Sequence, residues 1–347
     1  MLILGIESSC DETGAALVRD GRFIVANALA SQAAVHVRYG GVVPEVAARQ
    51  QLTAVVPVIE MALERAGVAW EDIDAVAATY GPGLAGPLLV GLTAAKAVAF
   101  ARQLPFIGIN HLEAHIYANW LRTVPDAEHD EGSDPRFPLL SLLVSGAHSE
   151  LIVIRDHGDY QLLGQTRDDA AGEAFDKVAR VLGLPYPGGP SIQATAAQWP
   201  AGQPLPLRLP RAWLKGTQDF SFSGIKTAVA QLVDSIRAKG ETPDVVAIAA
   251  AFQEAVVDVL ATKTLAAARA LGAAEVALAG GVAANLPLRE RLAHDLRLAG
   301  IPLRYPPVAL CTDNAAMIAG VAYFHLQRGE RSDLTLDVMP GLALPLR

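Results

Sequence analysis

Apolar and polar positions follow a pattern that occurs twice along the chain. Residues 2–6 (LILGI) are apolar, ESSCDETG is a polar turn, and residues 15–18 are apolar again, which predicts strand, tight turn, strand. Residues 139–144, the turn SGAHSE and residues 151–154 repeat that order. A second recurrence supports the first: IDAVAATYGPGLAGPLLVGLTAAKAVA and AAEVALAGGVAANLPLRERL each predict a strand, a Gly-rich turn and a helix. The chain is therefore expected to be an α/β protein of two similar halves. Such halves usually face one another across a central cleft, where ligands bind.

Helices are expected over residues 42–66, opening around Pro44 and stopping at Gly67, and over 245–270, stopping at Gly272. Residues 168–180 (DDAAGEAFDKVAR) are amphipathic, YPGGP at 186–190 reads as a turn, and the Pro-rich residues 200–210 read as irregular. The apolar residues 83–101 contain Lys96, Pro87 and three glycines, so they suit a buried core helix better than a membrane span. DAEHDEGSD, residues 126–134, is an exposed acidic loop by composition. The expected organisation is a first half at 1–125, the loop at 126–135, and a second half at 136–312 with a helical insertion near 165–240. A C-terminal helix at 313–330 would pack back on the first half.

A length of 347 residues suits two domains, and 52% hydrophobic against 18% charged residues suits folded ones. A net charge of -8 argues against an extensive self-sufficient nucleic-acid surface, so any such binding is local or shared with a partner. Arg208, Arg211, Lys215 and Arg289, Arg291, Arg297 form modest basic clusters. Two cysteines, Cys10 and Cys311, suit free thiols in a reducing compartment, and MLILGIESSCDE has no basic leader. A cytoplasmic protein without membrane contact is expected.

Candidate chemistry begins at HLEAH, where His111 and His115 are four residues apart and would share one helix face, one turn apart. Zinc proteases place a glutamate directly after the first histidine, whereas Leu112 stands there and Glu113 comes one place later. Spacing alone leaves open two helix-face histidines bonded to neighbours. Asp313 in CTDNAAMIAG is the best third ligand, or else an N-cap. Asp11 and Glu12 stand in the first polar turn, where carboxylates place a cation, accept a proton, or simply make the turn. LVSGAHS offers an anion-binding nest, and Gly280 and Gly281 lead into a helix N-terminus with Asn285 beside it.

Together these segments resemble the tRNA N6-adenosine threonylcarbamoyltransferases, once described as O-sialoglycoprotein endopeptidases. The resemblance is carried by GIESSCDETGAALV, YGGVVPEVAAR, GPGLAGPLLVG, HLEAH, LVSGAHSEL, DDAAGEAFDKVARVLGL, YPGGP, FSFSGIKTAV, AGGVAANLPLR and CTDNAAMIA, in that order. It implies an actin-like ATPase (ASKHA) fold of two ribonuclease-H-like halves. It implies that His111, His115 and Asp313 bind one divalent metal, usually iron and sometimes zinc. It implies that Leu143, Val144, Ser145, Gly146, Ala147, Asp176, Gly189 and Asn285 hold the adenylate, with Asp11 and Glu12 as the catalytic acid-base candidates. The implied reaction moves threonylcarbamoyl from threonylcarbamoyl-AMP to N6 of adenosine 37 in tRNAs reading codons that begin with A. The implied partners are tRNA, a paralogous subunit of similar fold (TsaB type) and a small ATPase (TsaE type).

The chain departs from the usual pattern at Ala147, where the family has glycine, at Ser149 for threonine, and at Pro87 for a small residue. Alanine at 147 would be strained if the backbone there needed a positive φ. Competing readings are a non-catalytic nucleotide-binding scaffold, a metalloprotease, and a sugar or acetate kinase of the same fold.

Overall fold

The computed structural model describes residues 1–39, 41–123, 133–200 and 202–346, so most of the acidic stretch 126–134 lies outside the described residues. The chain divides into two compact units, one of Met1–Pro135 with Ala309–Leu346, the other of Arg136–Val308.

The first unit opens as an antiparallel meander of β1 (Leu2–Glu7), β2 (Glu12–Arg19) and β3 (Phe23–Ser31). It continues through α1 (Ala33–His36), α2 (Pro44–Ala66), β4 (Ala75–Gly81), α3 (Ala85–Arg102), β5 (Phe106–Asn110), α4 (His111–Tyr117) and β6 (Arg122–Thr123). The sheet order is β5-β4-β1-β2-β3-β6, with β4 parallel to β1 and β5.

The second unit repeats the plan with β7 (Leu139–Val144), β8 (Ser149–Asp156) and β9 (Asp159–Gln165), then α5 (Ala171–Leu182), α6 (Gly188–Ala196), α7 (Ser223–Ala238), α8 (Val245–Leu271), β10 (Glu275–Ala279), α9 (Leu286–Leu298) and β11 (Leu303–Arg304). Its order is β11-β10-β7-β8-β9. Apart from the two-residue β6, each sheet centres its first strand between its own hairpin and two parallel strands, the ribonuclease-H-like arrangement. The chain then returns to the first unit as α10 (Ala315–Gln327).

β1 is buried along its whole length because helices cover both faces of the central strand. Leu2, Leu4 and Ile6 join the core cluster with Val55, Val58, Leu92 and Ala95 of α2 and α3. The alternate positions, including Gly5 and Glu7, face the other side. There a Cβ on Gly5 would lie 2.5 Å from the Ala315 carbonyl oxygen, so glycine is what lets α10 start against the sheet. That close approach brings Asp313 up to the end of β1.

Two expectations are corrected. YPGGP is not a free turn, since Gly188 opens α6: Asp176 Oδ1 accepts from the Gly188 N–H at 2.7 Å, and Pro190 sits in the first turn, where no donor is needed. α3 is not a fully buried helix, because Leu89 and Phe100 are 52% and 74% exposed. By length and composition α3 and α8 are each long and apolar enough to cross a membrane, and two thirds of the most apolar stretch of α8 is buried within its unit.

Candidate metal centre and active site

α4 follows β5 without a loop, because Asn110 at the strand end is also the helix N-cap. Its Oδ1 accepts from the Leu112 and Glu113 N–H groups at 2.8 and 3.2 Å. The helix therefore starts on His111, and His115 stands one turn later on the same side, the two rings 4.6 Å apart. Asp313 is not the cap of α10, since Asn314 takes that role with Oδ1 accepting from Met317 N–H. The Asp313 carboxylate is thus left to approach the imidazoles, with Oδ1 3.1 Å from His115 Nε2 and 3.4 Å from His111 Nε2. Ligand atoms of the three residues lie within 4.8 Å of one another.

Glu7, fully buried at the end of β1, supports this group from behind. Its Oε2 is 3.1 Å from His111 Nδ1 and accepts from Thr79 Oγ1 at 2.5 Å, while Oε1 accepts from Ser9 N–H at 2.6 Å. A carboxylate on Nδ1 holds a proton there and turns Nε2 toward a ligand, the arrangement found behind metal-bound histidines. Burial disfavours charge on His111, yet the Glu7 and Asp313 carboxylates outweigh it and raise its pKa well above the usual range. Burial also works against the charge on Asp313, but His111 and His115 more than compensate and hold its pKa low. The pocket is organised around positive charge. Two imidazole nitrogens and one carboxylate oxygen at this spread fit a divalent cation such as iron or zinc.

The first turn is shaped by Gln51, buried within the apolar face of α2. Its Nε2 donates to the carbonyls of Ser8, Cys10 and Glu12 at 3.3, 3.1 and 3.2 Å. Glu12 Oε1 accepts from Ser31 Oγ at 2.8 Å, and its Oε2 is buried with no hydrogen-bond partner among the described residues. Burial first, opposed by Ser31 and reinforced by Asp11 and Asp313, pushes the Glu12 pKa up to about 7. Asp11 stands beside it, partly exposed.

The remaining sequence candidates all fall in the second unit. Leu143 and Val144 are fully buried in β7, while Ser145, Gly146 and Ala147 form the turn into β8. Ser145 Oγ accepts from the N–H groups of Ala147 and His148, so the proposed nest is partly self-capped. Ala147 is absent from the positive-φ residues and is exposed, so its methyl group brings no strain. Asp176 caps α6, next to Gly189 in the first turn. Asn285 uses both ends of its amide, Oδ1 capping α9 at Leu288 N–H and Nδ2 donating to Gln253. Gly280 takes φ 83° where a Cβ would lie 2.4 Å from the Val144 carbonyl oxygen.

Sequence reading missed Glu7 and Gln51. Each carried a signal, an acid closing a wholly apolar strand and a glutamine inside a helix's apolar stripe. Half of the basic-cluster residues are spent internally: Arg211 pairs with Glu254 and Asp258, Arg291 with Asp295 and Asp258, and Arg289 lies over Tyr305. Glu113 is bonded to His325, away from the imidazoles, which removes it as a protease base.

A family profile, TsaD: tRNA N6-adenosine threonylcarbamoyltransferase, matches residues 23–320. The tRNA N6-adenosine threonylcarbamoyltransferase of Thermomicrobium roseum is 54% identical over 366 residues, covering 100% of this chain and 98% of the relative. That of Dehalococcoides mccartyi is 53% identical, covering 99% of each. Among solved structures, full-length HypF in its phosphate- and nucleotide-bound form aligns at TM-score 0.59 and 15% identity, over 94% of this chain and 46% of that one. The Acidaminococcus fermentans (R)-2-hydroxyglutaryl-CoA dehydratase component A aligns at TM-score 0.51 and 18% identity, over 94% and 99%. These structural likenesses show the actin-like ATPase fold alone. With half of its residues shared across its full length, the chain belongs to the tRNA N6-adenosine threonylcarbamoyltransferase family.

Proposed function

We propose that this protein transfers the threonylcarbamoyl group of threonylcarbamoyl-AMP to N6 of adenosine 37 in tRNAs reading codons that begin with A, releasing AMP. Beyond family membership, the observation that carries the reading is the convergence of His111, His115 and Asp313 with Glu7 behind His111. His111, His115 and Asp313 would hold the ion, and iron suits two imidazoles and a carboxylate with other positions left open. When bound, a divalent cation supplies Lewis-acid polarisation and orientation of the carbonyl group.

The protein's own groups supply the rest. The N6 amine is a weak nucleophile, and it must lose a proton as the new N–C bond forms and the bond to the AMP phosphate oxygen breaks. Glu12, with its pKa near 7, is matched to accept that proton, and Asp11 is its neighbour in the same turn. Ser145, Gly146, Ala147, Asp176, Gly189 and Asn285 of the second unit are proposed to bind the adenylate through main-chain and side-chain polar groups; Leu143 and Val144 would serve as their buried support.

For partners, we propose tRNA, a paralogous subunit of the same fold and a small ATPase. α2 and α3 pack together, with Gly86 against Ala48, and leave Leu52, Val56 and Leu89 more than half exposed. An apolar helical face of this kind suits a partner's helices.

The test is metal analysis of the purified protein together with mass spectrometry of nucleosides from tRNA incubated with threonylcarbamoyl-AMP, ATP and the partner proteins. Iron near one equivalent and modified adenosine support the proposal. A complete mixture that leaves the tRNA unmodified refutes it.

A further inference from the structure

Glu113 lies midway between His111 and His115 in α4, so its side chain leaves the helix on the side away from the imidazoles. There both of its carboxylate oxygens are 2.9 Å from His325 Nε2, and the carboxylate is buried. His325 is held from behind by Glu330, whose Oε2 is 2.5 Å from Nδ1. His325 belongs to the last turn of α10, the helix whose approach carries Asp313.

α4 therefore makes two separated polar contacts with the 313–327 segment, beside the ring contact of Tyr117 with Phe324. His111 and His115 face Asp313 at one end, and Glu113 grips His325 twelve residues further on, about 18 Å of helix at 1.5 Å per residue. α4 has only 7 residues, too few to fix its own orientation. Its other contacts are the apolar packing of Leu112, Ala114, Ile116 and Tyr117, which is non-directional and sets the roll about its axis less sharply than an ion pair does. A roll of about 20° would carry a ring nitrogen lying about 6 Å off the axis through about 2 Å, some ten times the tolerance of a metal–ligand distance.

We propose that Glu113 is a positioning residue for the metal centre: its ion pair with His325 sets the roll of α4, so that both Nε2 atoms converge where Asp313 reaches. The inference rests on the reading that His111, His115 and Asp313 hold a divalent cation, and Glu113 need not touch that ion. Were the ion pair purely stabilising, its loss would lower the melting temperature yet leave metal affinity unchanged in the folded protein.

The experiment titrates Co(II) into metal-free full-length wild type, E113A, E113Q and H325A, at a temperature where circular dichroism shows each folded. It reads affinity and the visible d–d band. E113A and H325A are expected to bind Co(II) about ten- to a hundred-fold more weakly, the usual effect of losing a group that orients a ligand. E113Q keeps an oxygen for His325 Nε2–H and is expected to recover most of the affinity and the band shape. Should E113A fail to fold, H325A opens the same bridge from the other helix and decides the matter. Unchanged Co(II) affinity in the folded variants, or E113Q no better than E113A, would overturn the inference. Wild type that takes up no Co(II) would sink the metal reading itself, and the positioning role with it.

Discussion

Glu7→Gln keeps the shape of the group behind His111 and removes its charge. The carboxylate now receives hydrogen bonds from Ser9 N–H on one oxygen and from Thr79 on the other, where His111 Nδ1 also sits. An amide has one oxygen and one NH2, so either orientation costs something. Turned one way, NH2 faces the Ser9 N–H and leaves a buried donor unsatisfied, at about 1–3 kcal/mol. Turned the other way, NH2 faces Nδ1, drives the ring proton to Nε2 and blocks the ligating nitrogen. Loss of such a supporting group typically weakens metal binding about ten- to a hundred-fold, or about 1.4–2.8 kcal/mol. Competition between the apoprotein and a chromophoric chelator for Zn(II), with circular dichroism to confirm folding, reads this directly. A folded variant with wild-type affinity would refute the view that Glu7 orients His111.

Four further outcomes follow from the same geometry. The raised His111 pKa means that its contribution to the stability of the metal-free protein is fully present below about pH 6.5 and is lost as pH rises through the folded-state value. Chelator-treated protein should therefore melt lower as pH rises across that range while metal affinity increases, because protons and metal compete for the imidazole; a flat melting profile would contradict this. With the Glu12 pKa at about 7, single-turnover transfer should rise between pH 6 and pH 8, and Glu12→Gln should lose that dependence with about 10²- to 10⁴-fold of the rate. Gly5→Ala drives a Cβ to 2.5 Å from the Ala315 carbonyl oxygen, so denaturant melts should show a loss of about 1–3 kcal/mol. Ala147→Gly should leave transfer activity within about two-fold, because no positive φ has to be relieved at that position.

The doubled plan was legible because each sheet repeats the same continuous apolar runs and polar turns, and β1, β2, β7 and β8 fall on the predicted runs. The ends of α2 and α8 were legible from Gly67 and Gly272, which close both helices. What local pattern hid was anything set by distant packing. YPGGP opens a helix only because Asp176, on another helix, caps it. The exposed face of α3 is invisible in a segment that is apolar all round, since composition does not say how many sides have neighbours. At the candidate metal centre, spacing placed His111 and His115 together, but Asp313 lies 198 residues beyond His115 and reaches it only because Gly5 admits α10 to the sheet. Glu7 was overlooked because an acid at a strand end reads as the start of a turn, and its burial depends on helices from later in the chain.

The central claim is that these residues carry threonylcarbamoyl transfer. The most direct measurement gives wild type and Asp313→Asn, each with the partner proteins, an unmodified tRNA reading a codon that begins with A and a supply of threonylcarbamoyl-AMP, and quantifies N6-threonylcarbamoyladenosine by mass spectrometry. Position 37 should be modified by wild type, and by Asp313→Asn at least about a hundred-fold more slowly while that variant remains folded. Unmodified tRNA with wild type, or equal modification by the two proteins, would contradict the account.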